Sequence, residues 1–282
     1  MTHDFVLEYS AASDPGLRRR QNEDSAFASP RLLAVADGIG GHPNGDVASA
    51  AVVSTMAELD EHLARDGHAY PDVVSALSAG ASEAARRVVR LAERDPALHG
   101  MGTTLTALLS DGHRFALAHV GDSRAYLLRA GSLVPLTRDH TLTQSLVDDG
   151  TLTQDQVADH PRRSMLVRAM QTAGPNSADI TVHEPRQGDR YLLCSDGLTD
   201  VIDDDALHAL LSTPDSPAAT VVRLVDAANA AGGPDNITCV VCDVGTGPAV
   251  HVAPTVLGAA ASAAPAAADG DTARIPRPSG AR

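Results

Sequence analysis

Residues 32–41 read Leu-Leu-Ala-Val-Ala-Asp-Gly-Ile-Gly-Gly, and the interpretation of the whole chain starts from this stretch. A short apolar run that stops at a glycine is typical of a strand buried on both faces. Asp37 would then lie at the end of a buried strand, where three glycines let the backbone turn and approach a bound group closely. A carboxylate at such a place is costly unless a positive group meets it. Taken alone, the stretch could also be an ordinary Asp-Gly turn.

The overall composition argues against several classes of protein. The chain has 282 residues, which is enough for one large domain or two small ones with a sizeable core. Its formal net charge of -14 argues against binding to nucleic acid or to an anionic membrane. No apolar run is long enough to span a bilayer, and the N-terminus shows no secretory signal. We therefore expect a cytoplasmic protein.

The segment Cys239-Val-Val-Cys242 has the spacing of a redox or zinc motif, but it lies in a strand-like run. Residues three apart on a strand point to opposite faces, so the two sulfurs would not converge. No second cysteine pair completes a zinc site. We expect reduced thiols, as is usual in the cytoplasm.

Hydrophobic periodicity divides the chain into strands and helices. Two amphipathic helices are expected between Asp46 and Asp95, and they need a common apolar surface such as a sheet. Short runs between glycine turns over residues 102–136 predict an antiparallel meander. The other predicted elements are strands at 5–12, 180–183, 190–194 and 237–244 and helices at 204–211 and after Ser216.

Two segments depart from this pattern. Residues 139–175 are polar and contain two capping boxes, Thr141-x-x-Gln144 and Thr153-x-x-Gln156. We interpret them as an insertion over one end of the sheet, close to a site. Residues 246–282 are rich in alanine and have no apolar period. This composition predicts a disordered tail. The predicted folded domain is therefore residues 1–245.

Four carboxylates occupy similar places in the predicted strands. Asp37, Asp196 and Asp235 lie at strand–glycine boundaries, and Asp122 lies in a tight turn. Neighbouring strand ends are about 5 Å apart, so these groups can share one small volume, where they would take up protons unless cations hold them. Oxygen ligands suit Mg²⁺ or Mn²⁺, and two such ions can activate water for displacement at phosphorus. The residues alone indicate a hard-cation site, with unrelated Asp-Gly turns as the alternative.

Six motifs in order make the sequence resemble the metal-dependent Ser/Thr protein phosphatases (PPM, or type 2C), most of all their bacterial, actinobacterial-type members. The resemblance covers about residues 5 to 244. It implies an α+β fold, a four-layer α-β-β-α sandwich of two antiparallel sheets flanked by helix pairs. The motifs are Arg19-Arg20-Gln21-Asn22-Glu23-Asp24, Ala36-Asp37-Gly38-Ile39-Gly40-Gly41-His42, Gly102-Thr103-Thr104, Val120-Gly121-Asp122-Ser123-Arg124, Leu193-Cys194-Ser195-Asp196-Gly197-Leu198 and Gly233-Pro234-Asp235-Asn236-Ile237-Thr238.

The resemblance implies a site for two Mn²⁺ or Mg²⁺ ions. Asp37 would bridge both ions, and the Gly38 carbonyl would bind the first. Asp196 and Asp235 would bind the second. A water that bridges the ions would attack phosphorus, with no covalent phosphoenzyme.

The same resemblance assigns roles around these ions. Glu23 would hold waters on the first ion, with support from Asp24. Arg19 would grip the substrate phosphate, since its planar fork suits a bidentate contact. Ile39 stands where many eukaryotic members carry the His proposed as general acid, which leaves the proton donor open. A metal-bound water is one candidate for this donor, and His42 is another.

Bacterial members often bind a third ion, which the resemblance assigns here to Asp122, Asp196 and Ser164. Ser164 lies in the insertion at 139–175, which corresponds to the family's flap, a segment that influences substrate choice.

The activity implied is hydrolysis of phosphoserine and phosphothreonine in proteins. Its partners would be bacterial Ser/Thr kinases and their substrates, and we expect a monomer. A same-fold phosphatase of an anti-sigma-factor antagonist is one alternative. A non-catalytic phosphoprotein-binding module is another, although the intact Asp37, Asp196 and Asp235 argue against it.

Overall fold

The structure is a computed structural model that describes residues 5–39, 44–65, 72–157, 160–172, 176–247 and 253–263. The strands in these ranges are β1 (Phe5–Asp14), β2 (Ser25–Ala28), β3 (Leu32–Ala36), β4 (Gly102–Thr103), β5 (Leu105–Ser110), β6 (Phe115–Val120), β7 (Arg124–Arg129), β8 (Ser132–Pro135), β9 (Met170–Gln171), β10 (Asp179–His183), β11 (Arg190–Cys194), β12 (Ile237–Thr246) and β13 (Thr255–Gly258). The helices are α1 (Gly45–Arg65), α2 (Val73–Arg94), α3 (Leu142–Asp148), α4 (Asp196–Thr199), α5 (Asp204–Ser212), α6 (Pro217–Ala230) and α7 (Ala259–Ser262).

Two antiparallel sheets form the centre of the molecule. The first sheet has the strand order β1-β12-β11-β7-β8, and the second has the order β10-β6-β5-β3-β2-β13. Helices α1 and α2 cover the outer face of the second sheet, while α5 and α6 cover the outer face of the first. This arrangement confirms the predicted four-layer sandwich.

Strand β3 shows how the sequence pattern builds these layers. Leu32, Ala34 and Ala36 face the core beneath α1 and α2, whereas Leu33 and Val35 face the core between the sheets. All five side chains are fully buried. A strand between two apolar layers needs apolar residues on both faces, so the continuous run is the expected pattern.

Strand β12 confirms the interpretation of the two cysteines in the Cys-x-x-Cys segment. Cys239 belongs to the core under α5 and α6, while Cys242 belongs to the core between the sheets. Both are buried free thiols, so their spacing reflects strand geometry and not a metal or redox motif.

The flap insertion closes on itself at its base. A β-bridge joins Thr141 to Leu166, and the N–H of Leu142 donates to the Met165 carbonyl over 2.8 Å. The N–H of Val167 donates to the His140 carbonyl, also over 2.8 Å. This pair of hydrogen bonds, which makes up the bridge, forms a narrow neck. Short helical turns begin after Thr141 and Thr153 as predicted, but the reciprocal capping box is present only at Thr153, since the Gln144 side chain donates to Asp148 instead.

The prediction that residues 246–282 form a disordered tail is wrong for residues 253–263. There β13 pairs antiparallel with β2, and α7 packs against α1. Main-chain hydrogen bonds, one partly buried leucine (Leu257) and small alanine side chains make these contacts, so no apolar period marks them in the sequence. The other residues of the predicted tail, 248–252 and 264–282, lie outside the described ranges.

No helix within the described ranges is both long enough and apolar enough to cross a membrane.

Candidate active site

Asp37 follows β3 and is held by the segment that leads into β5. Its N–H donates to the Thr104 hydroxyl over 2.9 Å. Its carbonyl accepts from the Thr104 N–H at 2.9 Å and from the Thr103 hydroxyl at 2.7 Å. The next residue, Gly38, is pressed against the main chain, because a Cβ there would lie 2.7 Å from the Glu23 carbonyl oxygen. Thr103 and Thr104 therefore hold the main chain of Asp37 in place.

Three of the predicted metal ligands lie together with one further carboxylate. Burial raises the pKa of Asp37 well above its ordinary value, and the charges of Asp24, Asp196 and Asp122 raise it further. The pKa of Asp122 is also raised well above the ordinary value, by burial first and then by Asp196. Burial and then the charge of Asp200 raise the pKa of Asp196 to about 7. These residues form one electrostatically coupled cluster, which we call the carboxylate cluster (Asp24, Asp37, Asp122 and Asp196).

Asp24 has a more central place than the sequence indicated. It is fully buried, and burial is the main cause that raises its pKa to about 6. One carboxylate oxygen, Oδ2, accepts a hydrogen bond from the Ser195 hydroxyl over 2.8 Å. The other oxygen, Oδ1, has no hydrogen-bond partner. A buried carboxylate oxygen without a donor is costly, and a cation in the cluster would relieve that cost.

Arg19 and Asp235 lie at the exposed rim of the site, in contact with each other. The Arg19 guanidinium donates to the Asp235 carboxylate over 2.6 Å, and both side chains remain partly accessible to solvent. The Glu23 N–H donates to Asn236 Oδ1 over 2.9 Å, and the Asn236 amide donates to the Gln21 carbonyl over 3.0 Å. Asn236 thus links the loop of residues 15–24, which carries Arg19, to the start of β12. The Gly233-Pro234-Asp235-Asn236 motif contains this residue, but nothing in the sequence indicates its bond to the Glu23 main chain.

His140 is a second organising residue that sequence reasoning missed. Its N–H donates to the Gly121 carbonyl over 2.8 Å, and its Nδ1 accepts from the Gly121 N–H over 3.1 Å. Its Nε2 lies 3.0 Å from the Asp179 carboxylate, which fixes the ring. His140 therefore holds the turn that carries Asp122. Its place at the start of a polar insertion was the only sign of this role in the sequence.

Asp235 lies beside the cluster and pairs with Arg19, whereas for Ser164 and His42 no described contact links the residue to the cluster. Ser164 lies in an exposed turn of the flap insertion, and its neighbour Arg163 is 3.5 Å from Asp200. The third-ion role of Ser164 stays a prediction. His42 lies outside the described residues, so its role as proton donor stays a prediction as well. Ile39 is partly buried, and its N–H donates to the Gly102 carbonyl over 3.0 Å.

The donor chemistry of the cluster fits hard divalent cations. The groups are carboxylates, with the Gly38 carbonyl beside them, and oxygen donors of this kind suit Mg²⁺ and Mn²⁺. In the part of the chain that the structure describes, no three Asp, Glu, His or Cys side chains converge as a ready-made ligand set. The fit therefore rests on the coupled charges, the raised pKa values and the unpartnered Asp24 oxygen.

The raised carboxyl pKa values make the stability of the metal-free protein depend on pH. Folded carboxyl groups with a raised pKa keep protons that the unfolded chain releases, so the free energy of unfolding falls as pH rises through that range. Buried His119, whose pKa falls from 6.5 to about 4, acts in the opposite direction only below about pH 6.5. Between about pH 6.5 and 8 we expect the free energy of unfolding in chelator to fall by about 1.4 kcal/mol per pH unit for each proton retained.

Urea unfolding in chelator at pH 6.5, 7, 7.5 and 8 measures this slope. Saturating Mn²⁺ should remove it, because metal binding displaces the retained protons. Asp196→Asn should reduce the dependence of stability on pH in chelator. Asp226→Asn, which changes an exposed carboxylate on α6, should leave that dependence unchanged. A stability that is constant or rises across this pH range in chelator contradicts the proposed coupling.

Comparison with known proteins places these features in a family. The family model described as "Protein phosphatase 2C" matches residues 20–240. The "Serine/threonine protein phosphatase PstP" of Mycobacterium tuberculosis is 46% identical over 240 residues, which make up 85% of this chain and 45% of that protein. The chain therefore spans about half the length of this relative. The "Serine/threonine phosphatase stp" of Listeria welshimeri is 34% identical over 231 residues, 80% of this chain and 91% of that protein.

Solved structures give the same result. A crystal structure of the M. tuberculosis serine/threonine phosphatase PstP/Ppp superposes with a TM-score of 0.79 at 45% identity, covering 85% of this chain and 99% of that one. The catalytic domain of PstP in complex with two manganese ions superposes with a TM-score of 0.77 at 44% identity, covering 86% and 99%. The predicted fold class is thus confirmed, and a protein with this fold holds two Mn²⁺ ions.

Proposed function

The chain belongs to the protein phosphatase 2C family, and from that membership we propose that it is a metal-dependent phosphatase of phosphoserine and phosphothreonine in proteins. The observation that carries the proposal is the carboxylate cluster beside an accessible arginine. Carboxylates that raise one another's pKa would be relieved by bound cations, and Arg19 at the rim would supply the positive charge that binds a phosphate monoester.

The residues that would hold the ions are Asp37, the Gly38 carbonyl, Asp196 and Asp235, with Asp122 and Asp196 for a further ion. Bound Mn²⁺ or Mg²⁺ would supply Lewis acidity at the phosphoryl oxygens and activate water for attack at phosphorus. Asp24 lies behind this set and is held by Ser195, so it can orient the cluster without reaching solvent.

Arg19 and Glu23 would act on the substrate side of the ions. The Arg19 side chain is 42% exposed, so its fork can turn from Asp235 to a phosphate that enters from solvent. Glu23 is partly buried, and burial followed by the charge of Asp46 raises its pKa, while Arg19 lowers it. A carboxylate with these neighbours can accept hydrogen bonds from water that approaches phosphorus.

We further infer that the substrates are phosphoproteins of bacterial Ser/Thr kinase signalling and that the chain acts as a cytoplasmic monomer. The mycobacterial relative named as a serine/threonine protein phosphatase supports the substrate class. The three buried free cysteines fit a reducing compartment.

The test is hydrolysis of a phosphothreonine peptide and of an aryl phosphate by the whole chain. We expect turnover with Mn²⁺ and none above background with chelator. Asp196→Ala should behave with Mn²⁺ as the unaltered chain behaves with chelator. Asp226→Ala, which removes an exposed carboxylate on α6, is the matched control and should keep full activity.

Two results would overturn the proposal in different ways. Turnover that chelator does not reduce would exclude a metal-dependent mechanism. Binding of the phosphopeptide without hydrolysis, at saturating Mn²⁺, would instead support the non-catalytic binding module.

A further inference from the structure

The segment after the matched family region adds a strand to the second sheet. The family match ends at residue 240, and β13 pairs with β2 in the register Thr255–Ala28 to Gly258–Ser25. All four residues of β2 are buried beneath this added strand and the neighbouring layers. We call residues 253–263 the edge segment.

The edge segment touches the main chain of a residue in the carboxylate cluster. The Ala259 N–H donates to the Asp24 carbonyl over 2.7 Å. Gly258 lies directly over the same carbonyl, because a Cβ at this position would be 2.1 Å from the Asp24 oxygen. Its φ of +72° is a left-handed conformation that favours glycine. Only a residue without a side chain allows the segment to approach Asp24 this closely.

A second set of contacts leads from the edge segment to Glu23. The Ala260 N–H donates to the Ser25 hydroxyl over 3.0 Å, and this hydroxyl lies 3.0 Å from that of Ser49 on α1. The Ser49 hydroxyl in turn donates to the Glu23 carbonyl. The main chain from Glu23 to Ser25 is therefore held by hydrogen bonds from the edge segment and α1.

We propose that residues 257–260 of the edge segment are positioning residues for Glu23 and Asp24. This inference rests on the proposed function, since it concerns the same site. The segment holds the Asp24 carbonyl directly through Ala259, and it reaches the Glu23 carbonyl through the hydroxyls of Ser25 and Ser49. Chain that lies beyond the family region thereby sets the geometry of the site, and detaching it should weaken metal binding and turnover together.

Two substitutions on β13 separate this role from packing in general. Leu257 packs on the core between the sheets, whereas Val256 is 37% exposed on the other face of the strand. Leu257→Asp places a charge against the core and should detach the segment, while Val256→Asp introduces the same charge without that effect. Hydrogen exchange of the amides in β2 reports whether the segment has left the sheet.

We expect Leu257→Asp to speed exchange in β2 and to weaken Mn²⁺ binding, measured by calorimetry, by about 10-fold to 100-fold, the range seen when groups that orient metal ligands are lost. The kcat for an aryl phosphate should fall in the same range with little change in KM, because Arg19 is untouched. Val256→Asp should match the unaltered chain in all three measurements.

Faster exchange in β2 with unchanged Mn²⁺ affinity and kcat would overturn the inference. If Leu257→Asp leaves exchange unchanged, Gly258→Val provides a second way to detach the segment, since a Cβ at residue 258 cannot fit against Asp24. Unchanged Mn²⁺ affinity in that variant would also overturn the inference. Failure of the proposed function would show differently, as an unaltered chain without Mn²⁺-dependent turnover.

Discussion

Asp37→Asn should lower Mn²⁺-dependent turnover of a phosphothreonine peptide by at least about 1000-fold while raising the melting temperature of the metal-free protein. Asp37 would bridge the ions, and losing several kcal/mol of transition-state stabilisation corresponds to a rate loss of this size. The same substitution replaces an ionisable carboxyl group with a neutral amide, at a position where the charges of neighbouring Asp24, Asp196 and Asp122 disfavour the ionised Asp37. Without metal, the substitution would therefore relieve the unfavourable interaction between these carboxylates and stabilise the folded protein. Steady-state kinetics and thermal unfolding in chelator measure the two effects.

The opposite directions of these effects make the test specific. A residue needed only for folding would lose activity and stability together. Asp226→Asn is the control, because this exposed carboxylate on α6 should change neither measurement. A lower melting temperature for metal-free Asp37→Asn would contradict the idea that the cluster is strained by its own charge.

Arg190→Met should destabilise the fold by about 2–4 kcal/mol, because the partly exposed Asp243 and two main-chain carbonyls lose their donor. The Arg190 side chain lies on β11, only 9% of the residue is exposed, and it donates to both Asp243 oxygens at 2.6 and 2.7 Å. It also donates to the Leu211 carbonyl at 3.0 Å and the Asp215 carbonyl at 2.6 Å. One guanidinium therefore joins the first sheet to the end of α5 and the loop before α6. Urea unfolding measures the loss.

Arg65→Met is the matched control for this prediction. Arg65 pairs with Glu61 on α1, but the two side chains are 74% and 66% exposed. Such a pair contributes less than about 1 kcal/mol. Equal losses in the two variants would show that the Arg190 network adds nothing to stability. Arg190→Met combined with Asp243→Leu should recover part of the loss, because no unpaired charge then remains.

The sequence predicted those parts of the fold that depend on local pattern. The apolar stripes of α1 and α2, the continuous run of β3 and the Ser216 cap of α6 all have their cause within a few residues. The edge segment does not, since β13 forms only because β2 offers free main-chain groups more than 200 residues earlier in the chain. No local pattern encodes a partner at that distance.

The site divides in the same way. Asp37, Asp122 and Asp196 could be grouped because each follows a recognisable strand or turn, and in the structure the charges of Asp196 and Asp122 both raise the pKa of Asp37. The sequence does not indicate the role of Asn236 or the central position of Asp24, because both depend on contacts between distant segments. The ligand and substrate roles themselves came from family resemblance and stay predictions.

The narrow neck of the flap has a consequence for divergence among related enzymes. The two ends of the flap are joined by the Thr141–Leu166 bridge and by the His140–Val167 hydrogen bond. The positions at which the flap leaves and re-enters the domain therefore stay the same whatever residues lie between them. Once the ends are fixed, the entropic cost of a longer loop grows only with the logarithm of its length. Residues in the flap can therefore be exchanged, lengthened or shortened with little effect on folding. Such changes can accumulate, or be engineered, separately from the carboxylate cluster that we propose as the catalytic site.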